Sequence, residues 1–372
     1  MRKLIGLLFD LIAAGLILLG VWVINYKMPQ QGVKAVDMKT VLADTQRNLP
    51  YLSKADNELF QKNSEAENTQ DAGEEQIEQV SLNERTNIVL DTQDWHQKFA
   101  DKFTDTVQTT ADSYTSPDLS IRLTKNQYDS KTLDYSENGK HKQYGSNVSY
   151  VLADIYVGDI TCLQTAFAQD TYGIGYSEKL SGMSQRMKSI LSVNGDSYSN
   201  NRHKNNGTII RNGVIYRNEQ TDAETCVLNW DGTMDIYKPN QVDKNLLVKK
   251  GAYQSWIFGP SLLNDDGTAK TDFMTWNYIK ESHPRTAIGY YEPGHYCLLL
   301  VDGRQDTSRG MFLDEMAKVF EKLGCKKAYN LDGGHCSFMM FEGNTANHPY
   351  KPEHEIPDGV FLVDSMEAQK IG

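Results

Sequence analysis

At 372 residues, with 38 Lys and Arg against 49 Asp and Glu, the chain carries a formal charge of −11. That balance excludes a basic nucleic-acid binder and gives no reason for tight attraction to anionic lipid. The length suits one large domain plus accessory segments, and the odd set Cys162, Cys226, Cys297, Cys325 and Cys336 follows no metal-ligand spacing and assigns no disulfide.

Taken in chain order, the stretch from Leu4 to Tyr26 is apolar apart from Asp10 and Asn25, which is the length a helix needs to cross a bilayer. Arg2 and Lys3 precede it, so the positive-inside rule puts the N-terminus in the cytoplasm. No small-residue cleavage site stands around Lys27-Met28-Pro29, which favours an uncleaved anchor over a signal peptide. Residues 1–26 are therefore predicted to be a single-pass transmembrane helix, with the rest of the chain outside the cell. Residues 27–115 read as a stalk: 36–59 and 88–103 have the intermittent apolar spacing of short helices, and 64–79 is acidic, poor in apolar residues and expected to be disordered or weakly helical. The catalytic part is expected over residues 116–372.

Within that part, Ser149 to Val157 and Ile160 to Ala168 read as strands, and Met183 to Leu191 as a helix running into a Ser192-Val-Asn-Gly turn. Asn212-Gly213 and Asp231-Gly232 predict two tight hairpins, over 208–216 and 227–237. Thr286 to Tyr291 and His295 to Val301 pair across Glu292-Pro-Gly294. Phe312, Met316, Val319, Phe320 and Leu323 keep helical spacing, with Gly324 as the stop. The pattern predicts an α+β fold of mixed, hairpin-rich β-sheets flanked by helices, behind the N-terminal transmembrane helix and stalk.

Two strand ends carry the chemistry. Tyr329-Asn-Leu-Asp-Gly-Gly-His-Cys-Ser337 is a strand that runs into an acid and paired glycines. Such a turn lets a ligand approach backbone amides, and the same residues also suit a plain hairpin with a turn-forming Asp332. Cys297-Leu-Leu-Leu-Val-Asp302-Gly-Arg304 is a second strand that ends in an acid, a glycine and a base. If the two strands run the same way, both acids open onto one sheet edge, where α/β proteins bind ligands.

His283-Pro-Arg-Thr-Ala-Ile-Gly289, Val301-Asp-Gly-Arg304, Gly310 through Ala317 and Asn330-Leu-Asp-Gly-Gly334 resemble, in order and spacing, the motifs of the phosphodiester glycosidase family. Ser192-Val-Asn-Gly-Asp196, Ile210 to Arg217 and Phe258-Gly-Pro-Ser-Leu-Leu263 are similar to it as well. The resemblance runs from about residue 120 to about residue 363. It implies an extracytoplasmic hydrolase that cleaves the glycosidic bond of a sugar-1-phosphodiester. An anchored enzyme of this kind would take phosphodiester-linked glycans of the cell envelope or exopolysaccharide. A non-catalytic glycan-binding or polysaccharide-assembly module is the alternative.

That chemistry asks for a cation at the phosphate, a group that manages protons and negative potential beside an oxocarbenium-like centre. Arg285, which stands with Thr286 in the resembling motif, and Arg304 are the candidate phosphate ligands, because guanidinium donors match two phosphate oxygens. Gly333 and Gly334 offer backbone amides for an anion-binding concavity. Asp332, Asp302 and Asp196 are the candidate catalytic carboxylates, and Asn194-Gly195 the wall that meets sugar hydroxyls or a cation. Glu315 is read as a helix cap and His203 as a loop residue with a possible proton-transfer role. His335 stands where the family has glycine, as an acid/base or a narrowing of the pocket, while Ser337 keeps the family's serine. His354-Glu-Ile-Pro-Asp358 also departs from the family pattern, by lacking an arginine. No cofactor is demanded; a divalent Ca2+ or Mg2+ bridging the acids to phosphate would use oxygen ligands, since no His-rich signature is present.

Overall fold

The apolar run of His295–Val301 sorts its side chains to two faces: Leu298 and Leu300 enter one core, Cys297, Leu299 and Val301 another. A strand buried on both sides needs a layer on each, and that requirement organises the fold. A computed structural model describes residues 12–22, 32–43, 84–134, 144–198 and 206–364. In it the strand lies inside a seven-stranded antiparallel sheet, with Arg285–Glu292 and then Lys327–Asn330 on one side. On the other side follow Asn147–Val157, Leu119–Asp129, Ser113–Thr115 and Gln108–Thr109.

A second, five-stranded sheet runs Asn344–Thr345, Met339–Phe341, Leu191–Asn194, Asp358–Leu362 and Leu163–Phe167. Ile288, Leu298 and Leu300 of the first sheet share one core with Val193, Met339 and Val360 of the second. The Leu313–Leu323 helix covers the outer face of the first sheet through Leu313, Met316, Ala317 and Phe320, and stops at Gly324 with φ 78°. The Leu180–Met187 helix covers the second sheet with Leu180 and Met183. The result is a helix–sheet–sheet–helix stack, an α+β fold of several sheets and few helices. A smaller three-stranded sheet centred on Thr225–Asn229, and the hairpin Ile209–Arg211 with Val214–Arg217, complete it.

The hairpins follow their turn chemistry. Asn212 and Gly213 take φ of 52° and 80°, as a twisted two-residue hairpin requires. Two readings are corrected. The helix expected over 183–191 spans Leu180–Met187, because Lys188 turns left-handed at φ 51° and Leu191 is already paired with Phe341 and Leu362. The stalk is corrected in its described parts: Met38, Val41, Ile88, Trp95 and Phe99 are buried in the inter-sheet core, and Gln108–Thr109 and Ser113–Thr115 are strands of the large sheet. Residues 12–22 are helical with Leu16, Ile17 and Leu18 exposed. Among the described residues no helix is long and apolar enough to cross a membrane, and the remainder of the expected anchor, the acidic 64–79 stretch and His203 lie outside them.

Candidate active site

His295–Val301 and Lys327–Asn330 both pair antiparallel with Arg285–Glu292, so they run in the same direction and end at one edge of the sheet. Arg285 starts its strand at that same edge, opposite Val301. From there the chain crosses from Asn330 in the first sheet to Met339 in the second, and Asp332 lies on the crossing.

Three distant segments are stitched together at this point. Leu331 N donates to Thr286 O at 2.8 Å, Asp332 N to Gly195 O at 3.1 Å and Gly334 N to Pro284 O at 2.9 Å. Asn194 Nδ2 donates to Asp332 O at 2.7 Å while its Oδ1 accepts from Thr286 Oγ1 at 2.6 Å. Both glycines of the turn are required. A Cβ on Gly333 would sit 2.7 Å from Pro284 O, and Gly334 has φ 68°. Asn194, Gly195 and Thr286 therefore act as positioning residues that hold the Asp332 turn.

Asp332 is half-buried, and its carboxyl is pushed up to about 6, chiefly by desolvation. Donors from Cys336, Gly333 N at 2.8 Å and Ser197 pull the other way, and the Asp358 charge pushes up with the burial. The Cys336 thiol is itself raised, by burial first and by Asp332 second, so it stays a neutral donor. Above the turn, Arg304 holds φ 59°, and its Nη2 is 3.3 Å from where a Cβ on Gly334 would lie. Its Nη1 donates to Tyr350 Oη at 2.8 Å and Nη2 to Tyr278 Oη at 3.1 Å, with His283 Nδ1 at 3.4 Å. Among the described residues Arg304 faces phenols and an imidazole rather than a carboxylate, which leaves its charge available to an anion.

The remaining expected groups take other roles. Asp196 is corrected from a catalytic to a structural acid: it is 0% exposed and accepts from Ile257 N and Phe258 N at 2.7–2.9 Å. Burial pushes its carboxyl up, against the pull of Arg211 at 3.9 Å. Asp302 is corrected likewise. It is 4% exposed, and its carboxylate holds Asn347 Nδ2 at 2.9 Å and His348 N at 3.0 Å. Burial raises it too. Arg285 does not reach for a phosphate with its bonded donors, since Nε binds Met311 O at 3.1 Å and Nη2 binds Ile279 O and Glu281 O. Desolvation among those carbonyls lowers it to about 9.

The amide concavity is corrected as well: Gly333 N serves Asp332's own carboxylate and Gly334 N serves Pro284 O. His335 points its Nε2 at Pro352 O, 2.8 Å away, and stacks on His354 at 4.8 Å, so it lines the rim. Ser337 is buried, with its Oγ in no hydrogen bond. Glu315 caps its helix at Phe312 N, 3.0 Å, and pairs with the buried Arg309 at 2.6 Å. Sequence reasoning missed Cys336 and Ser197 as donors to Asp332, and Tyr278 and Tyr350 as partners of Arg304. Among the described residues no three His, Cys, Asp or Glu side chains come together as metal ligands, so the hard-cation reading finds no site among them.

At the edge where the two sheets part, the half-buried Asp332 and the Arg304 that faces phenols thus lie close together. Residues 187–363, which hold all of these groups, match the sequence model of the phosphodiester glycosidase family. A prophage-derived uncharacterized protein of Bacillus subtilis strain 168, YomE, is 34% identical over 201 residues, 52% of this chain and 30% of that protein. The chain thus spans under a third of that relative's length. Among solved structures, the zebrafish N-acetylglucosamine-1-phosphodiester alpha-N-acetylglucosaminidase catalytic domain, auto-inhibited by its pro-peptide, is 19% identical. It aligns with a TM-score of 0.48 over 68% of this chain and 90% of that one. A hypothetical protein from Synechocystis aligns with a TM-score of 0.45 at 10% identity, over 69% and 64% of the two chains.

Proposed function

We propose that this chain hydrolyses the glycosidic bond of a sugar-1-phosphodiester, with Asp332 as the proton acceptor and Arg304 as the phosphate ligand. The observation that carries the reading is the half-buried Asp332 carboxyl, raised to about 6 and fixed by three chain segments beside Arg304. In the reaction the bond from the anomeric carbon to the phosphate oxygen breaks, and its electron pair stays on phosphate. A water adds to the anomeric carbon and gives its proton to ionised Asp332, so the products are free sugar and a phosphomonoester. Phosphate is weakly basic and departs without protonation, which leaves base and electrostatic work for the carboxylate. Arg304 would bind the phosphate in ground state and transition state alike, and more tightly as charge gathers on it.

Placement outside the cell, behind an N-terminal anchor, with envelope or exopolysaccharide glycans as substrate, belongs to the same proposal. It is supported by the apolar stretch from Leu4 to Tyr26 and the two basic residues before it. The test is to incubate the chain with hexosamine-1-phosphodiesters and assay free sugar. Turnover that is lost in Asp332→Asn supports the reading. Glycan retained without release, and indifferent to that substitution, gives the binding-module reading instead.

A further inference from the structure

The partners of Arg285 lead to a surface outside the catalytic turn. By binding Met311 O, Ile279 O and Glu281 O, the buried guanidinium clamps the segment around Asn277–Lys280 against the sheet. Phe273 anchors the same segment in the core under the Leu313–Leu323 helix, and the partly buried Ile279 packs against that core. Between those anchors, on the way into the short Asn277–Lys280 helix, Met274 is 59%, Trp276 61% and Tyr278 54% exposed. Three large apolar side chains in one short stretch are unlike the scattered single exposures of an ordinary surface.

This stretch is continuous with the site. Tyr278 Oη accepts from Arg304 Nη2 at 3.1 Å, and its ring packs on His283 at 4.6 Å. Tyr350 takes the other Nη of Arg304 at 2.8 Å, so the arginine is held at the inner end of the aromatic stretch. The segment is thus fixed by buried anchors, apolar on its outside and joined at one end to a cation.

We propose that Met274, Trp276 and Tyr278 form a platform for the sugar rings on the far side of the phosphodiester, with Arg304 reading the phosphate that joins them to the scissile sugar. This rests on the hydrolase reading for its ligand. The apolar CH faces of pyranose rings cover aromatic rings well, and a rigid aromatic anchor loses little conformational entropy on binding. Arg285 is then a positioning residue for the platform.

The experiment compares a phosphodiester-linked hexosamine oligosaccharide with the methyl phosphodiester of the same hexosamine 1-phosphate, in the full chain. Wild-type tryptophan fluorescence should change on titration with the oligosaccharide, and Trp276→Ala should abolish the change. Trp95, Trp230 and Trp256 are buried, and Trp22 lies in the N-terminal helix at 12–22. In Trp276→Ala the ratio of KM for the long substrate to KM for the short one should rise about tenfold, the worth of one aromatic contact. Tyr278→Phe, which keeps the ring and removes the hydroxyl, should move that ratio far less. If wild type shows the fluorescence change but releases no sugar, the platform stands and the hydrolase reading falls. If sugar is released while Trp276→Ala leaves fluorescence response and KM ratio unchanged, the platform alone falls. Absence of both binding and release overturns both.

Discussion

The back wall and the mouth of the site use the same residue types to opposite ends. At the back wall Asp196 is sealed from solvent, takes two backbone amides and lies near Arg211, which also binds Asp358. At the mouth Asp332 is half-buried, its donors are one amide and two side chains, and the nearby Arg304 touches phenols. The arginines divide in the same way, Arg285 on backbone carbonyls and Arg304 at the rim. A charged side chain at a strand end is a fixture when its neighbours saturate it, and a reagent when they position it and leave capacity over.

The largest effect that can break this comparison is at Asp332. Asp332→Asn keeps the size of the side chain and the backbone hydrogen bonds of the turn, and should lower kcat/KM by about a thousandfold, within the range of general acid–base catalysis, with little change in the thermal melt. Arg304→Ala should follow, with a loss of about 10- to 100-fold in kcat/KM, the worth of a charge-assisted hydrogen bond.

The back wall should answer in stability instead. Asp196→Ala strips acceptors from the amides of Ile257 and Phe258 and leaves Arg211 less compensated. Leaving such buried groups unpaired costs about 3 kcal/mol, read as a fall in the urea midpoint at constant m. Asp302→Ala should cost about 2 kcal/mol through Asn347 and His348. Gly334→Ala, at φ 68°, should cost about 1 kcal/mol, the smallest effect of the set.

A pH profile sharpens the same contrast. Asp332 stays protonated up to about 6, so the base form grows in as pH rises through that value. Below it kcat/KM should fall about tenfold per pH unit, and above it level off. A profile flat from pH 4 to 8 would remove Asp332 as the base.

Much of the scaffold was legible in the chain. Asn212-Gly213 could only be a tight turn, and Met316, Ala317 and Phe320 fall on one helical face that ends at Gly324. The shared sheet edge of Asp302 and Asp332 also followed from strand direction, although Arg285–Glu292 lies between their strands. What stayed hidden is who saturates whom. The donors to Asp196 come from 61 and 62 residues away, and two of the carbonyls on Arg285 belong to the end of the one-turn Asn277–Lys280 helix, too short to show a periodic pattern in the sequence. The early segment was misread for a related reason. Trp95 and Phe99 are sparse apolar residues in a polar stretch, and only the cavity they fill shows that they belong to the core.

Asp332, alone among the three strand-end acids, is the group we propose for the chemistry. That assignment is tested most directly by assaying release of sugar from one hexosamine-1-phosphodiester by Asp332→Asn and Asp302→Asn side by side, with melting curves on both. The first should lose turnover and melt close to wild type, while the second should keep turnover per folded molecule and melt lower. A stable Asp302→Asn without turnover, next to an active Asp332→Asn, would contradict the assignment.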